Sequence, residues 1–154
     1  MKKTKNLVIL ALMALFTIGL TSCPDPKEEP LNSYKKVTAD IFQKNIEAST
    51  KNGSPQIIDY RPYEEYAAGH IKYAINIPVT NSNAEETIKA ELRTYNFDHN
   101  RNIYVYGSQK TNNTLGFYLA GIVSGEGWGM SKTFDLLGGI EAWIHAGYEI
   151  VKEE

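Results

Sequence analysis

Short apolar runs of strand type alternate with stretches of helical period along most of this chain, and that alternation restricts its fold more than any other feature. Gln56-Ile57-Ile58-Asp59-Tyr60, Ala74-Ile75-Asn76-Ile77, Ile103-Tyr104-Val105-Tyr106 and Thr133-Phe134-Asp135-Leu136 are the strand-like runs. The turn signal Asn52-Gly53-Ser54-Pro55 precedes the first of them. Between them, the segment Ala84 to Tyr95 carries Ile88, Leu92 and Tyr95 at the i, i+4, i+7 spacing of an amphipathic helix. Thr114 to Val123 is apolar nearly all round, as suits a helix packed on a sheet. Thr38 stands as the N-cap of a helix bearing Ile41, Phe42 and Ile46, and Ile140 to His145 reads as a last short helix before Glu149-Ile150-Val151. Such alternation predicts an α/β fold: a mostly parallel sheet of about five strands with helices on both faces. Ligands of such sheets bind beyond the carboxyl ends of the strands, which directs attention to the loop after Tyr106.

Three segments carry more specific information. The first runs Ile57-Ile58-Asp59-Tyr60-Arg61-Pro62-Tyr63-Glu64-Glu65-Tyr66-Ala67-Ala68-Gly69-His70-Ile71-Lys72-Tyr73-Ala74-Ile75-Asn76-Ile77-Pro78. The second is the strand Ile103–Tyr106 with its following loop and helix. The third is Phe134-Asp135-Leu136-Leu137-Gly138-Gly139-Ile140-Glu141-Ala142-Trp143 with Ile144-His145-Ala146-Gly147-Tyr148 behind it. In this order they resemble the rhodanese-like domains, which show Asp-x-Arg, an aromatic-x-x-Gly-His-Ile segment leading to Ala-x-Asn-Ile-Pro, and later Gly-Gly-x-x-x-Trp. The resemblance extends from about Tyr34 to Val151. Physically, Gly69 is expected to end a short helix in the left-handed conformation. Asp59 and Arg61 are placed to pair at a strand end with Glu64 or Glu65 in reach, and Gly138-Gly139 supplies a tight turn that drops Trp143 onto the core. His70 reads either as an acid–base group or as a structural histidine holding the loop before Ala74–Ile77; the second reading is favoured.

The resemblance implies a cysteine directly after the strand Ile103–Tyr106, a nucleophile that accepts sulfane sulfur, its thiolate held by loop amides. Here the strand is followed by Gly107-Ser108-Gln109-Lys110-Thr111-Asn112-Asn113-Thr114. Gly107 stands at the nucleophile's place, and the family's Gly-x-Arg-Ser is replaced by Lys110-Thr111-Asn112-Asn113. Ser108 has a hydroxyl, which cannot carry a persulfide, and no base is paired with it in sequence. His99 and His145 fall near connections and read as solvated. Two readings of the loop stand at this level. Residues 107–113 form a cradle for a small anion, with Lys110 adding positive charge, or they form a plain loop in which Asn112, Asn113 and Thr114 cap the next helix. The expectation is a catalytically silent binding or assembly module, with no catalytic residue, no cofactor and no metal. The competing expectation is a sulfurtransferase or oxyanion-handling enzyme with a cysteine-free loop.

The chain's single cysteine is elsewhere. Met1-Lys2-Lys3-Thr4-Lys5-Asn6 and the apolar run Leu7 to Leu20 have the form of a secretory signal, too short for a membrane span of ~20 apolar residues. The run ends in Leu20-Thr21-Ser22-Cys23, which resembles a bacterial lipobox, so Cys23 is the expected lipidation site. Residues 1–22 are then a signal peptide and 23–33 a proline-rich, charged tether. The remaining segment, 34–154, forms one domain, large enough for a core without staples. The implied address is the bacterial cell envelope, lipid-anchored at the outer membrane on its periplasmic or surface face. With 18 acidic against 16 basic residues, and three of the lysines in the signal, the chain is not suited to nucleic acid. Trp128, set among glycines in Ser124-Gly125-Glu126-Gly127-Trp128-Gly129-Met130, has two readings: an exposed anchor for an envelope protein partner, or a ring folded back over a helix end.

Overall fold

The computed structural model describes residues 35–80, 85–110 and 113–153. The signal, Cys23, the tether, Ala84, Thr111 and Asn112 lie outside the described residues. Among the described residues five strands and five α-helices follow in the order β1 (Lys35–Val37), α1 (Ala39–Thr50), β2 (Gln56–Asp59), α2 (Tyr63–Ala68), β3 (Ala74–Asn76), α3 (Glu85–Thr94), β4 (Ile103–Tyr106), α4 (Asn113–Gly125), β5 (Thr133–Leu136) and α5 (Gly139–His145), with a short 3-10 turn at Met130–Lys132 before β5. The strands form one parallel sheet in the order β1-β5-β4-β2-β3. β4 is therefore the central strand, flanked by β2 and β5, and its carboxyl end lies in the middle of the sheet's edge.

Side-chain alternation divides the core in two. Ile57, Tyr104 and Tyr106 point to one face, where Phe42 and Ile46 of α1, Tyr66 of α2, and Ile140 and Trp143 of α5 meet them. Ile58, Ile103 and Val105 point to the other, against Ile88 and Leu92 of α3 and Leu119, Ile122 and Val123 of α4. All four residues of β2 and of β4 are buried, as expected for strands covered on both sides. Each such aliphatic side chain stabilises the fold by roughly 1.5–3 kcal/mol.

The structure adds one strand, changes the expectation for Gly69, and decides between the two readings of Trp128. The strand at the start, β1, was not legible, because a three-residue edge strand carrying Lys35 and Lys36 has no apolar run to announce it. Gly69 ends α2 with φ 164° and ψ 131°, extended rather than left-handed. Proximity favours a small residue there: a Cβ on Gly69 would lie 2.6 Å from the Cδ1 tip of Ile150, which would have to swing aside. Trp128 is only 4 % exposed. Its Nε1–H donates to the Asp98 carbonyl at 3.1 Å, and its ring packs edge-on to Phe97 and against His99. The exposed-anchor reading of Trp128 is thus corrected: the apolar ring gains more from the core under α3 and α4 than from solvent.

Candidate functional site

The loop after β4 leaves the sheet between the ends of two neighbours. Gly107 is buried, Ser108 half-buried, and Gln109 and Lys110 exposed. The next strand in the sheet, β5, turns into α5 through Gly138 (φ 81°) and Gly139 (φ 64°), a backbone path that side chains other than glycine's rarely follow. That turn brings α5 hard against the loop. A Cβ on Gly139 would sit 2.5 Å from the Gly107 carbonyl oxygen and 2.7 and 2.9 Å from the backbone carbons of Ser108. The Ile140 N–H donates to the same Gly107 carbonyl at 2.9 Å, and the Gln109 N–H donates to Oε2 of Glu141 at 2.8 Å. Of the loop residues singled out in the sequence, the structure brings Gly107, Ser108 and Gln109 against the start of α5. Asn113 opens α4.

Beneath the neighbouring strand end lies a buried ion pair. Arg61 Nε donates to both oxygens of Asp59 at 3.0 and 3.1 Å and Nη2 donates to Oδ2 at 2.6 Å, while the Arg61 backbone N–H reaches Oδ1 at 2.9 Å. Nη2 also donates to the Gly69 carbonyl at 2.7 Å, and Glu65 stands 3.9 Å from Nη1. Burial works against the charged guanidinium, but the Asp59 carboxylate, with Tyr106 and Glu65, outweighs it and holds the Arg61 pKa above its ordinary value. Tyr106, on the adjacent strand, accepts the Ile71 N–H at 3.0 Å, and its phenol is pushed far upward by burial and then by the Asp59 charge. Through these bonds Asp59 and Arg61 tie β2 to the loop at Gly69.

His70 has the same structural character. Its ring stacks on Tyr66 at 3.9 Å, its Nδ1 lies 3.0 Å from the Tyr66 carbonyl, and its backbone exchanges two 2.8 Å hydrogen bonds with Val151. His99 and His145 are both exposed, His99 against Trp128. Among the described residues no group of three or more His, Cys, Asp or Glu is arranged to hold a metal ion, and no helix is long and apolar enough to cross a membrane.

The model of the rhodanese-like domain matches residues 38–146 of this sequence. The chain belongs to the rhodanese-like domain family. Solved structures agree in fold. A rhodanese-related protein of Thermoplasma volcanium superposes with a TM-score of 0.57 at 22 % identity, covering 78 % of this chain and 100 % of that one. A rhodanese-like domain from Anabaena gives 0.56 at 20 % identity, covering 79 % and 81 % of the two chains. A Bacillus halodurans protein gives 0.57 at 23 % identity, covering 78 % and 77 %. No curated protein sequence matches the chain. Within the rhodanese-like fold, one residue at the loop escaped the sequence reading. Glu141 lies inside the Gly-Gly-x-x-x-Trp segment, but nothing local signals a contact with Gln109, which is 32 residues away.

Proposed function

We propose that this protein is a catalytically silent rhodanese-like domain of an envelope lipoprotein, serving as a binding or assembly module. One observation carries the reading: the residue that opens the loop at the carboxyl end of the central strand is Gly107, which has no side chain to attack a sulfur donor. The neighbouring ionisable groups supply no substitute, because Asp59, Arg61 and His70 are committed to holding the fold. Sulfur transfer needs a thiolate that is regenerated after each turnover, and a serine hydroxyl at position 108 cannot form the persulfide.

The signal-like N-terminus supports lipid attachment at Cys23, which would hold the domain at a bacterial membrane on residues 24–33. A single thiol in the chain is then used as an anchor and is not available for chemistry. The partner in this reading is an envelope protein that recognises the folded surface, since the Trp128 ring is buried and cannot serve as its anchor.

The test is the full chain assayed with thiosulfate and cyanide. No thiocyanate formation above a heat-treated control is expected; turnover that persists through a second, orthogonal purification would refute the silent reading. Mass spectrometry of the envelope-purified protein should find a diacylglyceryl group on Cys23, and Cys23→Ser should move the protein to the soluble fraction. An unmodified Cys23 in the envelope sample would remove the anchor from the proposal.

A further inference from the structure

The sequence holds one Asn-Gly pair, Asn52-Gly53, and the fold sets it in the exposed turn between α1 and β2. An asparagine so placed carries its own reagent. The backbone nitrogen of the next residue can attack the side-chain Cγ, unless a Cβ on that residue hinders the approach. Gly53 has no Cβ, and its φ of 108° is a path that other residues rarely take. Its N–H donates to the Thr50 carbonyl over a long 3.3 Å, a weak bond to give up. Among the described residues nothing hydrogen-bonds the Asn52 carboxamide, and the residue is open to water.

A second observation concerns what the product of that attack meets. Asn52 borders a cavity of about 320 Å³ beside the amino ends of β2 and β4, with Asn45, Asn100, Asn102 and Tyr104 around it. Arg101 is the one charged residue of this lining, and among the described residues it forms no ion pair. Its Nη2 donates to the carbonyls of Gly53 and Ser54 at 3.3 and 2.9 Å, and its Nη1 lies 3.3 Å from where a Cβ on Gly53 would be. The guanidinium thus sits against the Asn52-Gly53 turn. The carboxyl end of α1 opposes a carboxylate here with about half a unit of negative charge. Arg101, which also donates to the Ser49 carbonyl at 3.2 Å, brings a full positive one.

We propose that Asn52 is a self-modifying site, which deamidates to aspartate and isoaspartate and so gives Arg101 the carboxylate partner it lacks. The Gly53 nitrogen bonds to Cγ of Asn52, and its proton departs with the side-chain amide nitrogen as ammonia. The resulting succinimide ring is opened by one water at either carbonyl, which leaves a carboxylate at residue 52. Nothing is oxidised or reduced, and water is the only co-reactant.

The full chain, kept folded at neutral and mildly alkaline pH, is digested in acid and mapped by mass spectrometry. The segment with Asn52 should gain the mass of an amide-to-acid exchange, split between aspartate and isoaspartate. It should do so at least about tenfold faster than any other asparagine, since glycine alone leaves the attack unhindered, and faster as pH rises. An Asn52 that stays intact in the folded chain overturns the proposal, whether or not the urea-unfolded chain converts. Another asparagine converting as fast overturns it too. In Asn52→Asp, the new carboxyl, followed by NMR, should titrate below its ordinary value of about 3.9 and return to it when Arg101→Gln is added. If the double variant does not fold, added salt must return it instead. Titration at the ordinary value in the single variant, or a depressed one that neither change relieves, overturns the pairing with Arg101.

Discussion

Replacing Gly139 by alanine tests the packing that delivers α5 to the loop. The added Cβ would stand 2.5 Å from the Gly107 carbonyl oxygen, against a practical floor of 3.0 Å, so the two backbones must separate by at least half an ångström. The neighbours are backbone atoms at the end of a buried central strand, which cannot rotate away as a side-chain tip can. At φ 64° an L-residue also costs about 1–2 kcal/mol in backbone sterics. The retreat stretches the 2.9 Å bond between Ile140 N–H and the Gly107 carbonyl, a loss of about 1 kcal/mol. Together these terms predict a destabilisation of about 2–3 kcal/mol, a large fraction of the ~5–15 kcal/mol that holds a domain folded. Urea unfolding followed by circular dichroism measures it, with Gly69→Ala as the internal comparison. At Gly69 the backbone is already extended and the close atom is the Cδ1 tip of Ile150, so that variant should lose no more than about 1 kcal/mol. A Gly139→Ala midpoint equal to that of Gly69→Ala would refute the close approach of α5 to the loop, and with it the placement of Glu141.

Arg61→Met should cost about 3–5 kcal/mol in the same unfolding assay, because it strands the fully buried Asp59 carboxylate and frees the Gly69 carbonyl. An unfolding midpoint unchanged from the parent would contradict the buried pair. Trp128→Ala should lose about 3–5 kcal/mol and abolish part of the near-ultraviolet dichroism, as expected of a core ring and not of a surface anchor. Unchanged stability would restore the exposed-anchor reading. Arg93, through its hydrogen bonds and charge, lowers the Glu126 pKa below its ordinary 4.5. A carboxylate depressed in the folded state contributes stability above its unfolded pKa and loses it as pH falls through the folded value. Glu126→Gln should therefore unfold earlier than the parent at neutral pH and coincide with it well below 4.5; a gap that persists in acid would show that the pairing is not its cause.

Much of the architecture was readable because it is written in local patterns. Ile57-Ile58 and Ile103–Tyr106 announce strands buried on both faces, and Ile88 with Leu92 announces the inner stripe of α3, since burial on a sheet imposes those periods on neighbouring residues. The pairing of Asp59 with Arg61 was legible for the same reason, being a contact between residues two positions apart at a strand end. β1 was not, since Lys35-Lys36-Val37 acquires its strand conformation only from the parallel partner Phe134–Leu136, far along the chain.

The sequence by itself determined the fold class, the position of the loop directly after the strand Ile103–Tyr106, and the absence of a cysteine from that loop. Each of these is a property of residue identity and spacing along a short stretch. Only the tertiary structure decided that Trp128 belongs to the core, that Gly69 makes room for Ile150, and that a carboxylate from α5 meets an amide of the loop. Those outcomes depend on which distant segments the sheet order brings together. The free energy of burial and of a charge-assisted hydrogen bond belongs to that juxtaposition, not to either segment alone.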